Sequence, residues 1–166
     1  MATSVQISVA EYLASHFRPD CEYIDGELVE RNVGERDHGT AQMRLGAYLF
    51  NRTSEFGISV FPEQRVQVLP YRYRVPDLCA VLGPEPEEQV FTTPPFLCVE
   101  ILSPGDTIAA MQEHIQDYLN FGVNFVWIVD PRLKRAFVYT AGRTSQAGLE
   151  LLTENPRIAV PLSAIF

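Results

Sequence analysis

Val75-Pro76-Asp77-Leu78-Cys79-Ala80-Val81-Leu82 and, one loop later, Phe96-Leu97-Cys98-Val99-Glu100-Ile101-Leu102 read as two consecutive strands. Side chains two residues apart share a face of a strand. The first strand places Val75, Asp77, Cys79 and Val81 on one face and Leu78, Ala80 and Leu82 on the other; the second opposes Leu97, Val99 and Ile101 to Cys98, Glu100 and Leu102. Strands that are apolar on both faces are covered on both sides, so an α/β fold with a central sheet between helices is expected.

Each oily strand carries one acid, Asp77 or Glu100. An ionised carboxylate left unpaired in such surroundings is costly, so it takes up a proton or finds a cation. A divalent cation would serve both acids at once, and Mg²⁺ is commonly held by one or two carboxylates plus waters. The opposing reading has each acid capping a helix or pairing with an arginine. Lys134 is the single lysine among 13 basic residues, which leaves twelve arginines for that role. The two readings stand open on these residues alone.

Upstream, Ser8-Val9-Ala10-Glu11 has the form of a capping box opening a helix to about Phe17. Glu22–Ile24 and Glu27–Arg31 flank Asp25-Gly26, a hairpin signal. Asp37 is expected to cap a helix from His38 to Glu55, with Ala41, Leu45, Tyr48 and Leu49 on its apolar face and Gly57 as its stop. A strand over Val60–Leu69 and a turn over Pro70–Arg74 lead into the first acid-bearing strand. Downstream, a helix over Thr107–Phe121 stops at Gly122. Strands at Asn124–Val129 and Arg135–Thr140 flank the Asp130-Pro131 turn, and a short strand near Leu149–Thr153 precedes the apolar end, Ile165-Phe166. The order predicts a central mixed β-sheet flanked by helices, in one domain over residues 1–166.

The formal charge of −8 counts against a general nucleic-acid binder, which needs clustered cations. The distribution is uneven. Arg65, Arg72 and Arg74 fall in a stretch free of acids, so Arg72 and Arg74, beside Asp77, are candidate phosphate contacts or else part of a solvated turn. Glu85, Glu87 and Glu88 would repel DNA if their loop lined the same cleft. Cys21, Cys79 and Cys98 are scattered, which argues for a reducing compartment and a cytoplasmic protein. The opening MATSVQIS lacks the features of a secretion signal, and no apolar run is long enough to span a bilayer.

Glu22-Tyr23-Ile24-Asp25-Gly26-Glu27-Leu28-Val29, His38, Pro76-Asp77, Val99-Glu100-Ile101-Leu102-Ser103-Pro104, Tyr118, Gly122-Val123 and Trp127-Ile128-Val129-Asp130-Pro131 together resemble the Uma-two family of the PD-(D/E)XK nuclease superfamily. The likeness runs from about Val9 to Phe166. It implies a restriction-endonuclease-like core and a metal site on Asp77 and Glu100, with the Ile101 carbonyl as a further ligand. It also implies Mg²⁺ or Mn²⁺ as cofactor, with His38 and Glu63 turned toward the site. The expected activity is endonuclease hydrolysis of DNA phosphodiester bonds by a metal-activated water. DNA and a second copy of the chain are the partners considered.

One departure stands out. The superfamily pattern has lysine two residues after Glu100, where this chain has Leu102. The family position to which that lysine moves corresponds to His114, at the edge of the stripe formed by Ile108, Met111, Ile115, Tyr118 and Leu119. A histidine there suits a base, a hydrogen-bond donor or a ligand, but one of ordinary pKa lacks a lysine's charge at pH 7. Glu63 has the opposite parity to Val66 and Val68, and Glu22 sits in an edge hairpin, so both read as structural from the pattern alone. The missing lysine and the negative charge motivate a rival expectation, a catalytically degenerate nuclease-fold module that binds protein or nucleic acid.

Overall fold

A computed structural model describes residues 6–166. Residues 1–5, part of the stretch expected to lack a secretion signal, lie outside the described residues. Helix α1 (Val9–Ala14) opens on the expected capping box, with Ser8 and Glu11 each satisfying the other's backbone N–H. Strands β1 (Cys21–Ile24) and β2 (Glu27–Glu30) turn through Asp25 and Gly26, both at positive φ. That is the backbone a tight hairpin demands.

Helix α2 (Arg36–Phe50) starts earlier than expected. Glu35 occupies the N-cap without a side-chain bond, and Asp37 lies inside the first turn, where an acid still favours the helix dipole. The helix breaks after Phe50. A separate short helix, α3 (Thr53–Phe56), ends on Gly57 in the left-handed region.

The expected strand Val60–Leu69 is two strands in different sheets. Strand β3 (Ile58–Pro62) stops because Pro62 has no N–H to continue a ladder and Glu63 adopts a φ of 49°. Strand β4 (Val66–Leu69) then pairs with β5 (Arg72–Arg74), so the expected turn shrinks to Pro70-Tyr71. Next come β6 (Leu78–Leu82), β7 (Leu97–Ile101), α4 (Ile108–Phe121), β8 (Phe125–Asp130) and β9 (Arg135–Thr140). Strands β10 (Arg143–Gln146), β11 (Glu150–Leu152) and β12 (Ala159–Pro161) finish the order. The polar β10 has no periodic signal to announce it.

The main sheet has six strands in the order β10-β9-β8-β7-β6-β3, parallel only between β7 and β8, which α4 connects. A second sheet of four strands runs β2-β1-β5-β4, and β11 and β12 form a separate pair. On one face of the main sheet, Ala41, Leu45 and Leu49 of α2 pack over Leu78, Ala80, Leu97, Val99 and Trp127. On the other, Ile115 and Tyr118 of α4 join Cys79, Cys98, Val126 and Ile128. Both parities are buried along β7 and over Leu78–Ala80 of β6, but β6 is shorter than the expected Val75–Leu82 and its end, Leu82, is exposed. Truncating Leu45, fully buried at this contact, to alanine would cost about 2–5 kcal/mol. Among the described residues no helix is long and apolar enough to cross a membrane.

Candidate active site

The register of β6 against β7 pairs Leu78 with Val99 and Cys79 with Cys98. Asp77 lies in the bend just before β6, where the N–H of Ile101, the residue after Glu100, holds its side chain against the end of β7. Both acids are buried, and both line a cavity of about 170 Å³ with Glu22, Arg31, His38 and His114.

Asp77 is held on every side. Arg31 Nη2 donates to Oδ1 at 2.8 Å, the Ile101 N–H donates to Oδ2 at 2.7 Å, and His38 Nε2 lies 3.3 Å from Oδ2. Its backbone carbonyl accepts from Gln42 Nε2 and from the Glu63 N–H. The hydrogen bond to Asp77 raises the pKa of His38 despite the ring's burial. The first turns of α2 position His38 and Gln42. The left-handed Glu63 directs its backbone, not its carboxylate, at Asp77, and its side chain is half exposed, 3.8 Å from Arg31.

Glu100 lies in a chain of charges that runs along the cavity through His114 and Glu22 to Arg74 and Asp117. Tyr118 OH donates to Glu100 Oε1 at 2.6 Å, and His114 Nδ1 is 3.2 Å from the same oxygen. The other ring nitrogen of His114 faces Glu22 Oε2, also at 3.2 Å. Arg74 Nη1 donates to that Glu22 oxygen at 2.6 Å and turns its remaining nitrogens to Asp117, while the Val75 N–H donates to Glu22 Oε1. Burial pushes Glu22 up, but His114, Arg74 and the Val75 N–H outweigh it and bring its pKa down to about 2. Burial likewise disfavours a charged His114, yet the two carboxylates prevail and lift it to about 10. Burial raises Glu100, with the His114 hydrogen bond working against it. Because a firmly ionised Glu22 faces the second nitrogen, the shared proton stays on the ring. The two carboxylates facing its ring nitrogens thus favour the protonated form of His114, against the expectation from an ordinary histidine pKa.

Arg72 and Arg74, the expected phosphate contacts, are turned inward. Arg74 is 3% exposed between Glu22 and Asp117, and Arg72 bridges Asp117 and Asp25. Arg31 is the guanidinium that lines the cavity.

Among the described residues no three acidic, histidine or cysteine side chains converge as a metal cage. A hard cation such as Mg²⁺ does not need one, since two carboxylates with water and substrate oxygens suffice. The donor set fits such an ion. Glu100 has an oxygen that takes neither Tyr118 nor His114, Asp77 offers Oδ1 where Arg31 now sits, and Ile101 lines the same cavity.

Two residues of this site escaped the sequence pattern. Glu22 read as part of an edge hairpin, yet the second sheet carries it against α4. Arg31 ends that hairpin and carries no periodic signal. Its fixed position comes from its own N–H, which donates to the Asp20 carbonyl.

No curated protein matches the chain significantly. The crystal structure of a "putative nuclease belonging to DUF820" from Anabaena variabilis superposes with a TM-score of 0.81 at 21% identity, over 96% of this chain and 97% of that one. At that identity the likeness concerns the fold. A family model described as "Uma2: Putative restriction endonuclease" matches residues 9–163, which include every residue of the cavity described above. The chain belongs to the Uma2 family.

Proposed function

We propose that the chain, as one domain over residues 1–166, is a metal-dependent endonuclease that hydrolyses DNA phosphodiester bonds with Mg²⁺ or Mn²⁺. The observation that carries this is that the buried acids Asp77, just before β6, and Glu100, in β7, line one solvent-reaching cavity. Asp77, Glu100 and the Ile101 carbonyl would hold the ion. When bound, it would supply the positive charge that lowers the pKa of an attacking water and neutralises the phosphate. His114 sets a fixed cation beside Glu100, the charge that the superfamily's lysine provides elsewhere, and Glu22 keeps it protonated. Tyr118 and His114 fix one oxygen of Glu100 so that the other faces the cavity. His38 and the Ile101 N–H orient Asp77. Three free cysteines, Cys21, Cys79 and Cys98, support a reducing, cytoplasmic setting.

The test is cleavage of plasmid DNA with Mg²⁺ and with Mn²⁺. Cleavage is expected from the wild type, with a loss of about 10²–10³-fold in Asp77→Asn and Glu100→Gln. DNA left intact under both ions would end the enzyme reading. A second reading, a nuclease fold that binds without cutting, is favoured by one contact: Arg31 already neutralises Asp77 at 2.8 Å. It expects DNA or a protein partner to bind with no dependence on divalent ions.

A further inference from the structure

We infer that Arg31 is an exchangeable counter-ion, which holds Asp77 until a divalent cation takes that carboxylate and then grips the substrate phosphate. This rests on the metal-dependent reading above and names the residue that binds the scissile backbone.

The two oxygens of Asp77 are unequal. Oδ2 is tied to the rigid strand β7 through the Ile101 N–H and also faces His38. Oδ1 has a single donor among the described residues, Arg31 Nη2. A cation arriving at Asp77 therefore meets Arg31 at Oδ1, where the two positive charges repel each other.

Arg31 can leave at little structural cost. Its backbone is fixed by the bond from its N–H to the Asp20 carbonyl, so only the side chain needs to move. Its other terminal nitrogen, Nη1, lies 3.8 Å from Glu63 and 3.9 Å from Asp20, both beyond hydrogen-bond reach. The side chain is 18% exposed, at the edge of the cavity rather than sealed beneath it. A guanidinium fork matches two phosphate oxygens, and Arg74 is already committed to Glu22 and Asp117, while Arg72 bridges Asp117 and the exposed Asp25. Arg31 is thus both the obstacle to the ion and the free cation next to where a phosphate would lie.

The experiment is Mn²⁺ titration by calorimetry on the full chain, wild type against Arg31→Gln, with Tm recorded alongside. Binding of a DNA duplex is then measured by anisotropy in Ca²⁺. Arg31→Gln is expected to bind Mn²⁺ about tenfold more tightly, the gain from removing one competing charged contact. It is expected to bind the duplex about tenfold more weakly, from loss of one charge-assisted phosphate contact. Wild-type or weaker Mn²⁺ affinity in Arg31→Gln, with the wild type binding normally, would make Arg31 a fixed structural partner and overturn the inference. Unchanged duplex binding would overturn its second half. If neither protein binds Mn²⁺, the metal reading itself fails and the exchange falls with it. Should Arg31→Gln not fold, Arg31→Lys keeps the charge and loses the fork. It is expected to match the wild type for Mn²⁺ and to lose duplex affinity, and retained duplex affinity would overturn the phosphate role.

Discussion

The two halves of the cavity neutralise their acids in opposite ways. Around Glu100, the chain Tyr118–Glu100–His114–Glu22–Arg74–Asp117 alternates donor and acceptor, and each acidic member is 10% exposed or less. Around Asp77, Arg31 sits at the cavity edge on one hydrogen bond to Oδ1, no more exposed than His114, beside an exposed Glu63 and with His38 3.3 Å from Oδ2. Paired charges deep in protein are hard to separate, because any member left alone is a desolvated ion. A charge at the rim has water as an alternative partner. The difference assigns roles: the Glu100 side is a fixed electrostatic frame, and the Asp77 side is where exchange with solvent and substrate happens.

Removing one member of the fixed frame should do the most damage. Glu22→Ala leaves Arg74 and His114 buried without their shared carboxylate, so unfolding in urea should show a loss of about 3–5 kcal/mol. A loss under 1 kcal/mol would mean that the frame is looser than its distances suggest.

Acid titration probes the same frame. The folded pKa of Glu22, about 2, lies below the unfolded value of 4.5. A depressed carboxylate stabilises fully above the unfolded pKa and loses that contribution as pH falls through the folded one. Urea midpoints should therefore decline between pH 4.5 and pH 2, with Glu22 accounting for a term on the order of 3 kcal/mol. Glu22→Gln should flatten that decline, and an unaltered slope would assign the acid sensitivity to other carboxylates.

Charge at position 114 should matter more than the residue that carries it. His114→Leu removes the cation between Glu22 and Glu100, leaving Arg74 as the partner of Glu22 alone, and should cost roughly 3 kcal/mol. His114→Lys keeps the cation, should cost under about 2 kcal/mol, and should preserve cleavage within about tenfold. Equal losses in both variants, in urea and in cleavage, would show that the imidazole shape, not its charge, is required.

On the exchangeable side effects should be small. His38→Gln retains a donor toward Asp77 and should shift stability by about 1 kcal/mol or less. A loss as large as that of Glu22→Ala would erase the distinction between the halves.

The fold was legible wherever burial imposed a period. The two-sided strands β6 and β7, the helix α4 between Thr107 and Gly122, and the hairpin at Asp25-Gly26 follow from patterns that no other structure satisfies as well. The break at Glu63 was marked only by Pro62 and the polar run Glu63-Gln64-Arg65, a signal outweighed by the apolar residues on either side. Only the competition between two sheets for its halves forces the bend. Polar β10 was missed for the converse reason: pairing with β9 fixes it, and it has no buried face.

The sequence by itself determined that Asp77 and Glu100 must be buried, since each sits in a strand with apolar residues on both faces. What it could not determine was the company they keep. Glu22 and Arg31 come from a hairpin far upstream and Arg74 from another strand of that hairpin's sheet, and periodicity describes neighbours on one element only. That sheet's placement against α4 set His114 between two carboxylates that favour its protonated form, and gave Arg74 a buried carboxylate partner in Glu22. Electrostatics depends on distance through space, which only the tertiary structure sets.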